Sequence, residues 1–577
     1  MKRIIECVPN FSEGRNREVI DKIVEAIASV KVDVEGVTES VKVLDVDPGE
    51  ATNRTVVTFV GSVEAVLEAA FQGVKKAGEL IDMRSHKGAH PRSGATDVLP
   101  LIPISGITLS ECAELARGLA KRIFEELQIP CYCYEAAAFK PERKNLAVCR
   151  SGEYEALVEK VCDPERKPDF GPGKYTDVVA KSGAINVGAR NFLVAVNFNL
   201  NTTSTRRAMA VAFDVREKGR KMREGGSLTG KVLKDENGND MWQPGTLKGC
   251  KAIGWYIDEY GIAQVSMNIT DIEATSLHEA YEEVCRAAAA RGLKVTGTEI
   301  VGLVPKRVLM DAGRFYLARQ QRSLGISEDE IMKIAVKSMS LDDLKPFVVR
   351  EKVIEYLMED PKEMAVKERL IRMTCKDFAV ETASESPAPG GGSISAYMGA
   401  LGAALGTMVA NLSSHKRGWD ERWKEFSDWA EKGQALMNEL LALVDEDTAA
   451  FNKIMDVFSM PKGTEEEKAA RAAAMEAATL YATEVPLRTL KTSFKVFEVA
   501  EAMASMGNPN SVSDAGVAAI AARGAVFGAR LNVHINAEGL KDRAKAEQLM
   551  KEADEVMACA VVEEKKVLEI VENKIKG

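Results

Sequence analysis

The sequence predicts a multidomain chain: two α/β sandwich subdomains of the ferredoxin-like type, then an all-α helix bundle. Three observations carry this. At 577 residues the chain is too long for one hydrophobic core. Up to about residue 305, short β-rich runs alternate with amphipathic segments in an order, β-α-β-β-α-β, that occurs twice. Beyond it the strand signals stop and long helical patterns follow.

The first unit begins with the apolar run "RIIECVP" and the helical spacing of "REVIDKIVEAIASV". "VKVLDVD" and "RTVVTFVG" are β-rich runs separated by the turn composition "PGEATN". A helix from "SVEAVLEAAFQGVKKAGELI" follows, with Ser62 as N-cap. "VLPLIPI" is a strand, "TLSECAELARGLAKRIFEEL" a helix, and "PCYCYE" a last strand. In the second unit "FLVAVNFNL" is a strand and "TSTRRAMAVAFDVREKG" a helix. "CKAIGWYIDEYGIAQVSMNIT" is a hairpin turning near 259–261, and a helix and the strand "TGTEIVGLVP" close the unit. A ligand cleft is expected between the two sandwiches. "REGGSLTGKVLKDENGNDMWQPG" (223–245) reads as an inserted flap with "ENGN" as a tight turn. The bundle helices are expected at 393–412, 419–457, 464–505 with a kink at Pro486, 511–532 and 540–575. The resulting division is 1–192, 193–361, a charged helical linker at 362–369, and 370–577.

A net charge of −9 argues against a nucleic-acid partner. The opening "MKRIIECVPN" has no long apolar run, so no signal peptide is expected. The ten cysteines form no CxxC pair, which points to reduced thiols and a cytoplasmic location. "ISAYMGALGAALGTMVANL" (394–412) has near-membrane length, but its Ala and Gly content suits a buried bundle helix. No membrane association is expected. Gly399, Gly402 and Gly406 would let neighbouring helices approach closely.

"DMRSHKGAHPRSGATD" (82–97) concentrates chemistry. His86 and His90 are four apart, as in H-E-x-x-H zinc helices, but Lys87 replaces the Glu, Gly88 weakens a helix and Pro91 follows at once. Metal binding is therefore not expected. An imidazole among Arg84, Lys87 and Arg92 suits a neutral base, with the cations holding substrate carboxylates. The competing reading is a loop histidine bonded locally. Asp45 and Asp47 in "LDVDPG" are either orienting carboxylates or turn formers.

In the bundle, "PAPGGGS" (387–393) lacks the Lys-Ser/Thr of a P-loop, so no nucleotide is expected. Its backbone N–H groups could still meet an anion or a pterin edge, with Ser393 as N-cap. In "LVDEDTAAF" (443–451) apolar neighbours turn at least one of Asp445, Glu446 and Asp447 inward. Asn508 and Asp514 read as helix caps.

These residues carry a family resemblance. "ECVPNFSEGRN", "TNRTVVTFVG", "HKGAHPRSGATDVLPLIPI" and "GLVP" resemble glutamate formimidoyltransferases. "SPAPGGGSISAYMGALGAALGTMV", "VDEDTAAF" and "NVHIN" resemble formimidoyltetrahydrofolate cyclodeaminases, a fold shared with methenyltetrahydrofolate cyclohydrolases. Nearly the whole chain is similar to the fused family of histidine breakdown.

The resemblance implies transfer of the formimino group from N-formimino-L-glutamate to N5 of tetrahydrofolate, then cyclisation to 5,10-methenyltetrahydrofolate with loss of ammonia. Tetrahydrofolate, preferably polyglutamylated, is the carrier; no metal or nucleotide is implied, and a homo-oligomer is. His90 becomes the transferase base, supported by Asp47 and by Arg92 as carboxylate holder. Asp447 becomes the cyclodeaminase acid. The folate segment is Gly171, Pro172, Gly173, Lys174, Tyr175, Thr176, Asp177, Val178, Val179, Ala180, Lys181, Ser182 and Gly183. Gly390, Gly391, Gly392 and Ser393 form a second folate site. The alternatives are a transferase fused to a cyclohydrolase and a folate-binding scaffold without catalysis.

Overall fold

The computed structural model of the chain describes every residue except 1–2, 35, 51, 89–90, 227–229, 360–363, 365–367, 387 and 577. It divides into two compact units, Met1–Ala312 with Val336–Met358, and Gly313–Ala335 with Glu359–Gly577.

The first unit opens with β1 (Ile4–Cys7) and β2 (Asn10–Phe11), one line of strand interrupted at Val8 and Pro9. Proline lacks the N–H a ladder needs, so the break falls there. Then come α1 (Arg17–Ala28), the hairpin β3 (Lys31–Val34) and β4 (Val37–Ser40), and β5 (Lys42–Gly49) with β6 (Arg54–Ser62). Helix α2 (Val63–Leu80) follows, with Ser62 at its N-cap position but making no side-chain capping bond. Next are β7 (Thr96–Ser105), α3 (Leu109–Leu127), β8 (Cys131–Glu135), the short α4 (Asp177–Ser182) and β9 (Ile185–Ala189).

The sheet has β5 beside β6, then the β1/β2 line, β7, β9 and β8. It is antiparallel except that β9 runs parallel to both β7 and β8. Up to β7 the order differs from the expected β-α-β-β-α-β by the break between β1 and β2 and by the β3–β4 hairpin placed between α1 and β5. The sequence reading missed β9, which inserts between β7 and β8. Ile5, Phe59, Leu99 and Leu101 on one face pack with Ile23, Ala69 and Leu119 of the helices. In β8, Cys131 and Cys133 enter that core while Tyr132 and Tyr134 point the other way.

The second sheet is built from β10 (Val194–Leu200), α5 (Thr205–Val215), the small hairpin β11 (Arg220–Lys221) and β12 (Trp242–Gln243), β13 (Cys250–Ile257), β14 (Ile262–Ile269), α6 (Leu277–Ala289) and β15 (Val295–Val301). Its order is β13-β14-β10-β15, with every pair antiparallel. The β13–β14 turn falls at 258–261, where Gly261 has φ +64°. In the inserted flap Asp235 accepts from the backbone N–H groups of Asn237 and Asn239, which closes the expected tight turn. Helices α7 (Lys306–Arg319) and α8 (Glu328–Ser338) follow.

The second unit holds α9 (Gly391–Ser414), α10 (Trp423–Phe458), α11 (Glu465–Met506), α12 (Val512–Ala537) and α13 (Arg543–Lys576). The α11 helix runs continuously through Pro486. Two segments, Gly391–Ser414 and Pro509–Ala537, are long and apolar enough to cross a membrane. The first has 61% of its apolar window buried inside the fold. Small residues permit this: a Cβ on Gly399 would lie 2.5 Å from Ser493 Oγ, and one on Gly406 2.9 Å from Val499 Cγ1. Most of the expected 362–369 linker lies outside the described residues.

Candidate active sites

In the first unit Asn53 gathers the histidine loop. It sits at φ +49°, a left-handed conformation that Asn tolerates better than most residues. Its Oδ1 accepts from Gly14 N (3.0 Å) and its Nδ2 donates to Lys87 O (3.0 Å). Its carbonyl lies 3.0 Å from His86 Nε2. A carbonyl only accepts, so Nε2 carries that proton. His86 Nδ1 is buried and has no hydrogen-bond partner among the described residues. Ser12 Oγ donates to Gly94 O at 2.7 Å, tying the "NFSEG" segment to the same loop. His90 lies outside the described residues, but the loop on either side of it is fixed.

The proposed folate segment meets this loop. Gly94 and Gly183 form an isolated bridge, Ala184 N donates to Ser93 O (3.0 Å), and Ala95 N donates to Ser182 O (2.8 Å). A Cβ on Gly183 would stand 2.3 Å from Ser93 O, and φ there is +70°. Met83 N also donates to Lys181 O (2.8 Å). Thr176 Oγ1 caps α4 by accepting from Val179 N (3.3 Å). The segment leads into β9 of the same sheet.

The two supporting residues fall differently. Asp47 is half-buried inside β5, paired with Val56, so it is a strand residue and not a turn former. Burial holds the nearby Asp45 carboxyl above its ordinary range; Lys352 pulls it down and Asp47 pushes it up. Arg92 was expected to hold a substrate carboxylate; in the structure its guanidinium binds Glu153 (3.1 Å) and Glu155 (2.6 Å) of its own chain. Its side chain is only 12% exposed. Nothing in residues 82–97 announced partners sixty residues on.

The sequence reading also missed a buried charge cluster beside the loop. Arg54 Nη1 (2.5 Å) and Arg150 Nη2 both donate to Asp97 Oδ2. Ser93 N donates to Asp97 Oδ1 (3.0 Å), and Arg54 Nε to Asn10 Oδ1 (2.9 Å). Burial works to raise the Asp97 carboxyl, but the two guanidiniums outweigh it and hold it below the ordinary range. Tyr134 stands within electrostatic reach of Arg190 and Arg150; burial pushes its phenol up to about 12, so it stays neutral. Its ring lies over Gly188, where a Cβ would come within 2.5 Å of it. Burial also raises Glu6 to about 7, with Arg190 lowering it and Glu355 raising it. The only sequence signal was "TNRT", quoted as a motif without a role for Arg54.

A cleft of about 390 Å³ lies between the two sheets' ends, lined by Pro103 and Ile104 on one side and Asp271, Ile272 and Arg307 on the other. A cleft between the two α/β halves is thus present, at the end of β7 opposite Gly94.

In the second unit Asp447 lies against the start of α9. Ser393 Oγ donates to its Oδ2 (3.1 Å) and stands 3.3 Å from Thr448 Oγ1. A Cβ on Gly392 would be 2.1 Å from Asp447 Oδ1. Burial raises the carboxyl, and hydrogen bonds from the Ser393 side chain and backbone N–H partly offset this. Gly390, not Ser393, is the N-cap of α9, so Ser393 is a helical residue that holds the acid. Asp445 is the more buried neighbour, but it accepts from Leu370 N (2.8 Å) and Ile371 N (3.2 Å) and so has a structural task. Asn508 caps a turn, accepting from Asn510 N (3.3 Å). A second cavity, about 470 Å³, lies towards the other end of α9, beside Thr407, Asn411 and His415. Among the described residues no His/Cys/Asp/Glu group is arranged to hold a metal ion.

Comparisons with known proteins cover both units. Residues 4–190 match the formiminotransferase domain, N-terminal subdomain, and 195–359 the formiminotransferase domain. Residues 374–555 match formiminotransferase-cyclodeaminase. The formimidoyltransferase-cyclodeaminase of Sus scrofa is 40% identical over 573 residues, 99% of each chain. The glutamate formimidoyltransferase of Thermoplasma acidophilum is 40% identical over 316 residues, 54% of this chain and 92% of that protein. The methenyltetrahydrofolate cyclohydrolase of Methylorubrum extorquens is 40% identical over 202 residues, 35% of this chain and 97% of that protein. With both units matched along almost their full length, the chain belongs to the formimidoyltransferase-cyclodeaminase family.

Proposed function

We infer that the chain is a bifunctional folate-dependent enzyme of histidine degradation. It transfers the formimino group of N-formimino-L-glutamate to N5 of tetrahydrofolate, releasing L-glutamate. It then closes N10 onto the formimino carbon, expelling ammonia and giving 5,10-methenyltetrahydrofolate. The observation that carries this is the match of the whole chain, not of one unit, to a two-activity relative.

His90 is the transferase base. The attacking N5 sheds a proton as it adds to the amidine carbon, and the departing glutamate nitrogen gains one. One imidazole that shuttles it contributes about 10²–10⁴ in rate. Residues 171–183 bind the pteridine beside it, and their contact with residues 83–95 supports this. In the second unit Asp447 is the acid that protonates the leaving nitrogen; a raised carboxyl held by Ser393 suits that task. Residues 390–393 supply its folate contacts. Tetrahydrofolate is the carrier, preferably with a polyglutamate tail, and neither step as written draws on a metal or nucleotide. The protein acts in the cytoplasm as a homo-oligomer.

The division 1–192, 193–361, 362–369 and 370–577 follows the activities, and each α/β half is a ferredoxin-like sandwich. The sheet order β13-β14-β10-β15 supports that reading for the second half.

A second reading makes the bundle a methenyltetrahydrofolate cyclohydrolase, favoured by the 202-residue match to such an enzyme. A two-step assay with formiminoglutamate and tetrahydrofolate separates them. Methenyl absorbance rising together with ammonia supports the cyclodeaminase. Hydrolysis of supplied methenyltetrahydrofolate without ammonia from the formimino compound would replace it. Loss of the first step in His90→Ala and of the second in Asp447→Ala is expected.

A further inference from the structure

We propose that Arg150, oriented by Asp97 and seconded by Arg54, is the clamp for a carboxylate of the amino-acid donor. The proposal rests on the formimidoyltransferase reading and names the group that binds its dicarboxylate donor.

Two guanidiniums converge on one buried carboxylate. A guanidinium held away from water is stabilised by each acceptor that its remaining N–H groups reach. Asp97 cannot accept more: its oxygens already take Arg54, Arg150 and the Ser93 N–H. Arg150 gives Asp97 its Nε (3.3 Å) and Nη2, which fixes the plane of the guanidinium. Its Nη1 edge donates to no described residue, and the side chain keeps 17% exposure. That leaves a planar, pre-oriented donor edge of the kind that recognises carboxylates.

Through Ser93 N, Asp97 is tied to the loop three residues after His90. Through Asn186 Nδ2, which donates to Asp97 O (2.9 Å), it is tied to β9, the strand the folate segment feeds. The cluster therefore stands where the base loop and the folate segment join. Tyr134, within electrostatic reach of Arg150, offers a second donor for the same carboxylate. Arg92, the cation the sequence offered for this task, is occupied by Glu153 and Glu155.

The test uses the full-length chain and the variants Arg150→Gln, Arg150→Lys and Tyr134→Phe. Transferase kinetics are measured with each substrate varied in turn, and L-glutamate binding is measured by titration calorimetry. Arg150→Gln is expected to raise KM for formiminoglutamate about 10–100-fold, as for a lost hydrogen bond to a charged group. KM for tetrahydrofolate stays within about threefold, and L-glutamate binding weakens in parallel. Arg150→Lys keeps the charge but not the fork, and falls between. A merely structural Arg150 would move both KM values or only the thermal midpoint, and that result overturns the clamp. If Arg150→Gln does not fold, Arg150→Lys and Tyr134→Phe decide: an unchanged formiminoglutamate KM in both overturns it. If the parent transfers no formimino group, the transferase reading fails. The L-glutamate titration still judges the clamp, supported by weaker binding in Arg150→Lys and overturned by equal binding.

Discussion

Gly392 and Asp447 are packed so closely that a Cβ on the glycine would fall 2.1 Å from the carboxyl oxygen. The helix that starts at Gly391 and the acid on α10 thus share one small space. A methyl there displaces the end of a side chain and not backbone, so the fold survives while the acid moves. Gly392→Ala is expected to cut ammonia release about 10²–10⁴-fold, the range for a lost general acid, and to leave formimino transfer intact. A two-step assay with separate readouts checks this. Unimpaired ammonia release would show that the acid works from another position.

Asp447 also sets a pH dependence. Its folded pKa is raised, by burial first, so the folded protein binds more protons than the unfolded one. Stability from this group is therefore fullest below the unfolded value and is lost as pH rises through the window up to the folded value. Asp447→Asn removes that loss. Near neutral pH its thermal midpoint should exceed the parent's, with the difference vanishing in acid, while ammonia release falls. Parallel midpoint-versus-pH curves for the two proteins would refute the assignment.

Arg92 is expected to matter for stability through its pairs with Glu153 and Glu155. Arg92→Gln leaves two carboxylates without their cation beside the loop and should cost up to about 1 kcal/mol, because both carboxylates are exposed enough for solvent to screen the pairs. Urea unfolding monitored for the first unit measures it. A midpoint equal to the parent's would return Arg92 to the substrate-binding role.

Gly183 joins the folate segment to the histidine loop at φ +70°. Gly183→Ala incurs about 1–3 kcal/mol from the backbone conformation alone. It also places a methyl 2.3 Å from Ser93 O. A lower thermal midpoint and a higher KM for tetrahydrofolate are expected together. A destabilised variant with an unchanged KM would separate this segment from folate binding.

Much of this protein could be read locally. The five long bundle helices were legible because long runs rich in helix-forming residues carry no strand alternation and few turn residues. The β13–β14 turn was legible because Gly261 marks it. Asp447 was legible through a motif, and the small residues of α9 through their composition.

What escaped the sequence were partners. Ser393 looked like a cap and is instead a helical residue bonded to Asp447, 54 positions away. Arg92 looked free for substrate and is held by residues 61 and 63 positions on. Strand β9 was missed because five residues are too short to show a period, and only its parallel slot between β7 and β8 makes it a strand.

The amino-acid sequence by itself determined most of the chain's element types, its two-part division and the residue types available for proton transfer, because those follow from spacing and side-chain chemistry. Tertiary structure decided which charges meet. Asp97 joins Arg54 and Arg150 only because β6, β7 and the turn at Arg150 converge around it. Whether a cation is spent on its own chain or left for a ligand depends on distances across the sheet, and no local pattern encodes those.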